Sequence, residues 1–315
     1  MADAPVLITG AGGCIGAWVL RRLRDCGREA VAFDLSADRR RFALLCDSPA
    51  EADSVIWETG DIADFARVHE IFLQYRPAAV IHLAALQVPF CAADPMLGAR
   101  VNVAGSVNIF EAARQSGVTK IAYASSVAAA AMGAESPWKQ TLYGAYKICN
   151  EETARVYWRD YGVASIGVRP SVVYGPARDQ GMSAAPTLAM MAAALERPYT
   201  IPFCGAAGFV HAGEAAAAFI RAADAAGEDA KVFNLNGVEK TVAETAALIL
   251  SHCPRADINI TGAPLPFPSD ADDAPLRAHI GEYWRPDFEE GVRTALDFFA
   301  RRAAEGRIHF PEDNK

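Results

Sequence analysis

The 315-residue chain is predicted to be an α/β protein, a doubly wound parallel sheet with a smaller carboxyl-terminal substrate-binding lobe. Three observations lead there. Short apolar, strand-like runs alternate with helical segments through the first half of the chain. The first run enters a glycine-rich turn that opens directly into an amphipathic helix. After Arg169 the alternation gives way to proline- and glycine-marked loops and further helices.

Taken in order, the strand-like runs are Val6 to Thr9, Ala30 to Asp34, Val55 to Glu58, Ala79 to Leu83, Ile121 to Ser125 and Ala164 to Arg169. Helical segments fall between them at Asp64 to Gln74, Gly98 to Ser116 and Leu142 to Tyr161, with Gly117 as a stop. Strand, crossover helix and strand again is the βαβ unit of a parallel sheet. Beyond Arg169 come Gly175 and Pro176, the loop Arg178-Asp179-Gln180-Gly181 and an alanine- and methionine-rich helix near Ala184 to Leu195. Lys231 to Leu235 reads as a strand returning to the sheet, and Gly262 to Pro268 as a proline-rich connector. The expected division is therefore residues 1–175 with the return strand near 231–235, and a discontinuous lobe at 176–315 covering the carboxyl ends of the strands.

Composition narrows the function. Hydrophobic residues make up 52% of the chain and charged ones 22%, as in a soluble enzyme. No run approaches the roughly 20 apolar residues needed to cross a bilayer, and the first strand begins too early for a signal peptide. A cytoplasmic protein is expected, with no membrane partner. The formal charge of −8 speaks against nucleic-acid binding, which needs a basic face. Arg21, Arg22 and Arg24, and Arg39 to Arg41, read as solvated helix sides, with help to a cofactor phosphate as the sharper alternative. The seven cysteines suggest neither disulfides nor zinc and read as small buried apolar residues. None of the six histidines pairs with another at metal-ligand spacing.

Gly10, Gly13 and Gly16 lie between a strand and a helix, where absent side chains let the backbone, with Cys14 and Ile15 between them, approach a pyrophosphate at a helix N-terminus. Asp34 ends the next strand, where an acid hydrogen-bonds an adenosine ribose and repels a 2′-phosphate. NAD is thus favoured over NADP, although Arg39 to Arg41 keep the phosphate possible. Asp61, in Gly60-Asp61-Ile62, either accepts from the adenine amino group or caps the helix beginning near Asp64. His82-Leu83-Ala84-Ala85 ends the fourth strand, its small residues leaving space for a flat ring and His82 reading as a satisfied core histidine.

Tyr143 and Lys147 share a helix face at positions i and i+4, so the lysine ammonium can lie beneath the phenol and favour its ionised form. An unassisted phenol, with a pKa near ~10, is a poor base at neutral pH. Ser125 and Ser126 end an apolar run seventeen residues before the tyrosine and offer a hydroxyl to a substrate oxygen.

As a set these residues resemble the extended short-chain dehydrogenase/reductase family, the NAD-dependent epimerases and dehydratases. The likeness spans most of the chain. It rests on Thr9-Gly10-x-x-Gly13-x-x-Gly16, Asp34, Gly60-Asp61-Ile62, His82-Leu83-Ala84-Ala85, Asn102-Val103-x-Gly105, Ser125-Ser126, Tyr143-x-x-x-Lys147 and Arg169-Pro170-x-x-x-Tyr174-Gly175-Pro176. The resemblance implies a Rossmann fold binding a dinucleotide. It makes Tyr143 the general acid/base and Lys147 the residue that lowers its pKa and holds the nicotinamide ribose. Ser126 would orient the substrate carbonyl, with Ser125 the lesser candidate, and Asn102 would support a backbone or water position in the proton path, or else be a buried helix asparagine satisfied by a neighbouring carbonyl. The chain at Pro170 and Val173 would pass the nicotinamide, and Gln87 would stand among variable substrate contacts.

Departures from the family pattern bear on the substrate. Members acting on nucleotide-diphosphate sugars resemble one another in an asparagine where this chain has Val172, and in an Arg-Asp pair where it has Ala207-Gly208. A diphosphate buried without partners is costly, so a smaller hydroxylated substrate is expected: a sugar, a sugar acid or a polyol-like alcohol. Arg178, the obvious cation of the substrate-side loop, either holds a carboxylate or is a solvated loop arginine. Family dehydratases resemble one another in an Asp-Glu pair after the catalytic Ser/Thr; Val127-Ala128 here argue against elimination. The expected reaction is NAD-dependent oxidation of a secondary alcohol, in a dehydrogenase or an epimerase. A nucleotide-sugar epimerase and a catalytically silent NAD(P)-binding regulator are the rivals. The helices Gly98 to Ser116 and Leu142 to Tyr161 resemble the family's dimerisation pair, so a homodimer is expected.

Overall fold

A computed structural model describes residues 4–308 and Phe310. The strands in chain order are β1 (Val6–Thr9), β2 (Ala30–Asp34), β3 (Ile56–Thr59), β4 (Ala79–His82), β5 (Ile121–Ala124), β6 (Ser165–Pro170), β7 (Val172–Tyr174), β8 (Tyr199–Ile201), β9 (Ala206–His211), β10 (Ala230–Leu235), β11 (Val238–Thr241) and β12 (Ile258–Ile260). Seven of them form one sheet in the order β10-β6-β5-β4-β1-β2-β3, and every neighbouring pair is parallel. The polypeptide starts at the centre, winds outward over one half and then over the other. This is the doubly wound, Rossmann arrangement, with β10 as the returning strand.

The sheet is buried on both faces, which is why its strands read as continuous apolar runs. Alternate residues serve opposite sides. Val6 and Ile8 of β1, Ala32 of β2 and Ile81 of β4 pack into one cluster with Leu20, Leu23 and Phe219. Leu7, Val31, Val80 and Tyr123 pack into another with Ile71, Phe72 and Phe110. The helices Cys14–Asp25 and Ala212–Ala225 cover the first face; Phe65–Tyr75, Gly105–Ser116 and Leu142–Tyr161 cover the second. Each fully buried aliphatic or aromatic side chain contributes about 1.5–3 kcal/mol, so the three-layer core holds the strand ends in place.

A separate apolar cluster gathers Met190, Ile201, Phe209, Val242, Ile249, Val292 and Phe299. It joins the helices Ala185–Ala194, Val242–His252 and Phe288–Ala304 to the small sheets β11-β9-β7 and β12-β8.

Boundaries differ from expectation in one instructive place. The helix expected from Gly98 begins at Pro95, because Asp94 accepts from the Leu97 amide at 2.9 Å and proline suits a first helical position. It then passes through a π-helical turn, Arg100–Ala104, before regular helix resumes at Gly105. Such turns mark places where the backbone ladder yields to another requirement; here Asn102 is turned onto a neighbouring loop. The cysteines also need correcting. All seven are free, but Cys26 and Cys149 are exposed rather than buried. Among the described residues no helix is long and apolar enough to cross a membrane, and no cluster could hold a metal ion.

One buried acid gives the fold a pH signature. Glu214, 3% exposed in the first turn of Ala212–Ala225, has its carboxyl pushed up from 4.5 to about 7 by burial, against the opposing pull of Arg285. Between those values the folded protein keeps a proton that the unfolded chain gives up, so stability falls as pH rises through that window. Glu214→Gln is expected to gain about 1–3 kcal/mol on the wild type between pH 5 and pH 8. Thermal melts of both proteins at the two pH values check this, and a constant difference would refute it.

Candidate active site

The carboxyl ends of the strands open into one cleft of about 590 Å³. It is lined by every cofactor and substrate residue named from the sequence: the turn from Gly10 to Gly16, Asp34, Asp61, Ile62, Leu83 to Ala85, Gln87, Ser125, Ser126, Tyr143, Lys147, Pro170, Val173 and Arg178. Asn102 alone of the named set lies behind the wall, 1% exposed.

Gly10 turns out of β1 with a φ of 69°, and a Cβ there would stand 2.6 Å from the Ala84 amide nitrogen. Only a bare backbone lets the turn pass so close to the end of β4. At Gly13 a Cβ would meet nothing within 4 Å except the Gly10 carbonyl, so the turn presents naked backbone to the cleft. The helix Cys14–Asp25 that follows has no side-chain cap and no acid in its first turn, whereas Asp64 caps its own helix by accepting from Ala66 and Arg67. Uncapped amides and the positive end of a helix dipole facing a cleft fit a pyrophosphate.

Asp34 accepts from the amides of Gly12 at 2.8 Å and Leu35 at 2.7 Å, which fixes the carboxylate beside the turn, although burial raises its pKa. The neighbouring arginines are already engaged. Arg39 pairs with Asp53, Arg40 with Asp38 and Arg41 with Asp179, and Arg41 also donates to the Gly12 carbonyl at 2.8 Å. An acid at the ribose position with its nearby guanidiniums committed elsewhere fits NAD. Asp61 is not the helix cap, a role that falls to Asp64; its own side chain accepts from Ala63 at 2.9 Å and lies 3.5 Å from Arg100.

At the other end of the cleft Ser126 follows β5 and caps the short helix Val127–Ala130, its oxygen accepting from Ala128 at 3.1 Å. Its hydroxyl stands near enough to Tyr143 to lower the phenol's pKa. Gly144 allows this approach, since a Cβ there would lie 2.5 Å from the Ala128 carbonyl oxygen. Lys147 Nζ sits 5.4 Å from the Tyr143 ring centroid and donates to the Ala124 carbonyl at 2.6 Å. Burial pushes Lys147 down to about 8 and the Tyr143 phenol up to about 12. What opposes burial at the phenol is the Ser126 hydrogen bond and the Arg178 charge. Lys147 thus lies against the ring with its ammonium aimed at the Ala124 carbonyl, while Ser126 and Arg178 favour the phenolate.

Two expectations change with geometry. Ser125 is 2% exposed, and its hydroxyl donates to Glu151, which Arg169 grips with two hydrogen bonds of 2.7 and 2.5 Å. That hydroxyl is committed away from a substrate. Asn102 clamps Leu86, accepting from its amide at 2.7 Å and donating to its carbonyl at 2.9 Å, so it positions the loop entering the cleft and touches no reacting group. His82 is the satisfied core histidine expected: Thr9 and Ser106 flank it at 2.7 and 3.1 Å, and burial pushes its pKa down to about 3.

Sequence reading missed Ser183, Met182 and Phe267, which line the cleft, and Arg41, which ties the turn to the Asp179 loop. Phe267 comes from the proline-rich connector, and only tertiary folding brings it there. Val172 is 5% exposed, and a Cβ at Gly208 would lie 2.1 Å from Asn236 Oδ1, so the Ala207-Gly208 site is packed shut.

The NAD dependent epimerase/dehydratase family model matches residues 6–235. A UDP-glucose 4-epimerase of Mycolicibacterium smegmatis is 28% identical over 94% of this chain and 99% of its own. Among solved structures, a Thermus thermophilus UDP-glucose 4-epimerase in complex with NAD is similar with a TM-score of 0.75 and 26% identity, covering 94% of this chain and 98% of that one. An L-threonine dehydrogenase from Clostridium difficile shares the fold with a TM-score of 0.82 and 21% identity, over 96% and 99% of the two chains. The chain belongs to the NAD dependent epimerase/dehydratase family; it is an enzyme, and its cofactor is NAD.

Gly10→Ala should weaken NAD binding at least about tenfold, because the methyl group must displace Ala84 and holds a φ that costs it about 1 kcal/mol or more. Calorimetric titration with NAD measures this, and an unchanged affinity would show that the turn lies away from the cofactor.

Proposed function

We propose that the protein is an NAD-dependent oxidoreductase acting on a secondary alcohol of a small hydroxylated molecule, a sugar, sugar acid or polyol-like compound. The observation that carries this is the meeting of Ser126, Tyr143 and Lys147 in one cleft with a bare glycine turn. NAD, when bound, would be held along Gly10 to Gly16 and by Asp34 and would supply the acceptor for the hydride that leaves the alcohol carbon. Ser126 holds the alcohol oxygen and keeps it in register with Tyr143. The phenolate form of Tyr143 accepts the hydroxyl proton as the carbonyl forms. Since burial holds the phenol protonated, Tyr143 needs the charges of Lys147, Arg178 and the oxidised cofactor to act as base. Lys147, anchored to Ala124, keeps its ammonium against the ring while remaining able to reach a ribose hydroxyl.

Nucleotide-sugar epimerisation is the second reading, favoured by the likeness to UDP-glucose 4-epimerases. Val172 and the closed Ala207-Gly208 site weigh against it, since both remove groups that would grip a diphosphate. Residues 176–315, less the returning β10 and the helices Ala212–Ala225 and Ala274–Ile280 that pack into the core of the main sheet, form the substrate lobe in this proposal. Leu142, Val156 and Tyr161 are exposed on one helix and suit a homodimer built with the Pro95 to Ser116 segment. A cytoplasmic location accords with this chemistry.

Tyr143→Phe is expected to lower kcat about a thousandfold on any alcohol the wild type oxidises, while NAD affinity stays within twofold. NADH formation across sugars, sugar acids and polyols, with NADP run beside NAD, measures it. Silence of the wild type on the whole panel would favour the regulator, and interconversion of UDP-sugars without net NADH would favour the epimerase. Light scattering should give about twice the 33.6 kDa chain mass, and a monomer at micromolar concentration would contradict the dimer.

A further inference from the structure

Resting on the redox reading above, we propose that the substrate is a hydroxy acid anion whose carboxylate is held by Arg178 while its hydroxyl meets Tyr143 and Ser126. Arg178 lines the cleft, and its Nε is sealed from solvent without a hydrogen-bond partner. A donor left so costs about 1–3 kcal/mol, and it is the partly exposed remainder of the side chain that can face the cleft. The guanidinium is nevertheless held still. Its Nη2 donates to Ser183 at 3.2 Å, and Gly181, whose φ is 99°, brings the loop backbone against the Gln87 side chain.

The neighbouring acid does not neutralise it. Asp179 is turned to Arg41, which meets its carboxylate at 2.8 Å. Among the described residues no carboxylate lies within ion-pair distance of Arg178. The loop itself is fixed to the rest of the fold by Trp18, whose indole donates to the Pro176 carbonyl at 2.9 Å. A half-buried, oriented guanidinium without an ion-pair partner among the described residues presents a planar fork suited to a carboxylate.

Charge along the cleft agrees. Its acids, Asp34, Asp38 and Asp61, belong to the segments that follow β2 and β3, at one edge of the sheet order. The end reached from β5 and β7 carries Lys147 and Arg178 and, among the described lining residues, no acid. Arg178 and Tyr143 line the same cleft, and the arginine's charge acts on the phenol as well as on Cys14 of the glycine turn. An anionic substrate enters that end with its charge met, and a neutral one leaves the guanidinium without a counter-charge.

Calorimetric titration of the NADH-bound protein with gluconate, galacturonate and glycerate, each beside its neutral counterpart sorbitol, galactose and glycerol, tests the assignment. At least one acid should bind about a hundredfold more tightly than its counterpart. Arg178→Gln should bring the pair to within a few-fold without changing NADH affinity, and Arg178→Lys should restore part of the preference. Acids that bind no better than their neutral counterparts, or a preference that survives Arg178→Gln, would overturn the proposal. So would Arg178-dependent binding of UDP-glucose with no acid bound, which assigns the cation to a diphosphate. Arg178-dependent binding of an acid that wild type and NAD never oxidise upholds the anion site and sinks the redox reading instead.

Discussion

Parallel pairing is the constraint from which the rest of this molecule follows. Strands that all run one way cannot be joined by tight turns, so each connection crosses a face of the sheet as a helix, and both faces become core. The carboxyl ends are then the edge left free. Each strand end delivers one component there: the glycine turn from β1, Asp34 from β2, Asp61 from β3, the Leu83 to Ala85 floor from β4 and Ser126 from β5. The order of the strands spaces these components across the cleft, which is how Asp34 and Asp61 come to lie towards one side of it and Ser126 and Lys147 towards the other.

Polar groups inside the core serve placement. Thr9, His82, Ser106 and Asn102 form a continuous buried chain of hydrogen bonds that ends on the backbone of Leu86. It runs from the strand of the glycine turn to the loop beside the reacting end. Each member is satisfied only because the next is present, and stripping one partner leaves a buried group unpaired at about 1–3 kcal/mol. The Glu151 and Arg169 pair does the same below β5. Breaking a buried pair of that kind costs about 3–5 kcal/mol, although an apolar pair of equal volume would be as stable. What such groups add is one fixed position for the Ser125-Ser126 backbone.

Much of this was legible from residues whose signals are local. The alternation of apolar runs named the seven strands of the main sheet to within a residue or so, while the short strands β7, β8, β9, β11 and β12 of the smaller sheets went unread. Spacing placed Tyr143 and Lys147 on one helix face because helical periodicity is a property of the backbone. Side-chain direction was not legible. Ser125 and Ser126 are chemically identical neighbours, and only the pleat decides that one faces Glu151 and the other the cleft. The π-helical turn at Asn102 and the early start at Pro95 arise from tertiary demands, as does the delivery of Phe267 by a connector that carries no motif. Arg39, Arg40 and Arg41 look equivalent in sequence, and only their acid partners, 2 to 138 residues distant, distinguish them.

Arg41 joins two tasks that are usually thought separable. One guanidinium binds the Gly12 carbonyl at the dinucleotide turn and Asp179 next to Arg178. An engineer wishing to convert the enzyme to a phosphorylated dinucleotide would recruit this arginine, the one nearest the turn, to the added phosphate. Doing so would unhook Asp179 and loosen the segment next to Arg178, so a redesign of coenzyme preference made at Asp34 and Arg41 alone would also disturb a loop that lines another wall of the cleft, and a replacement anchor for that loop would have to come with it.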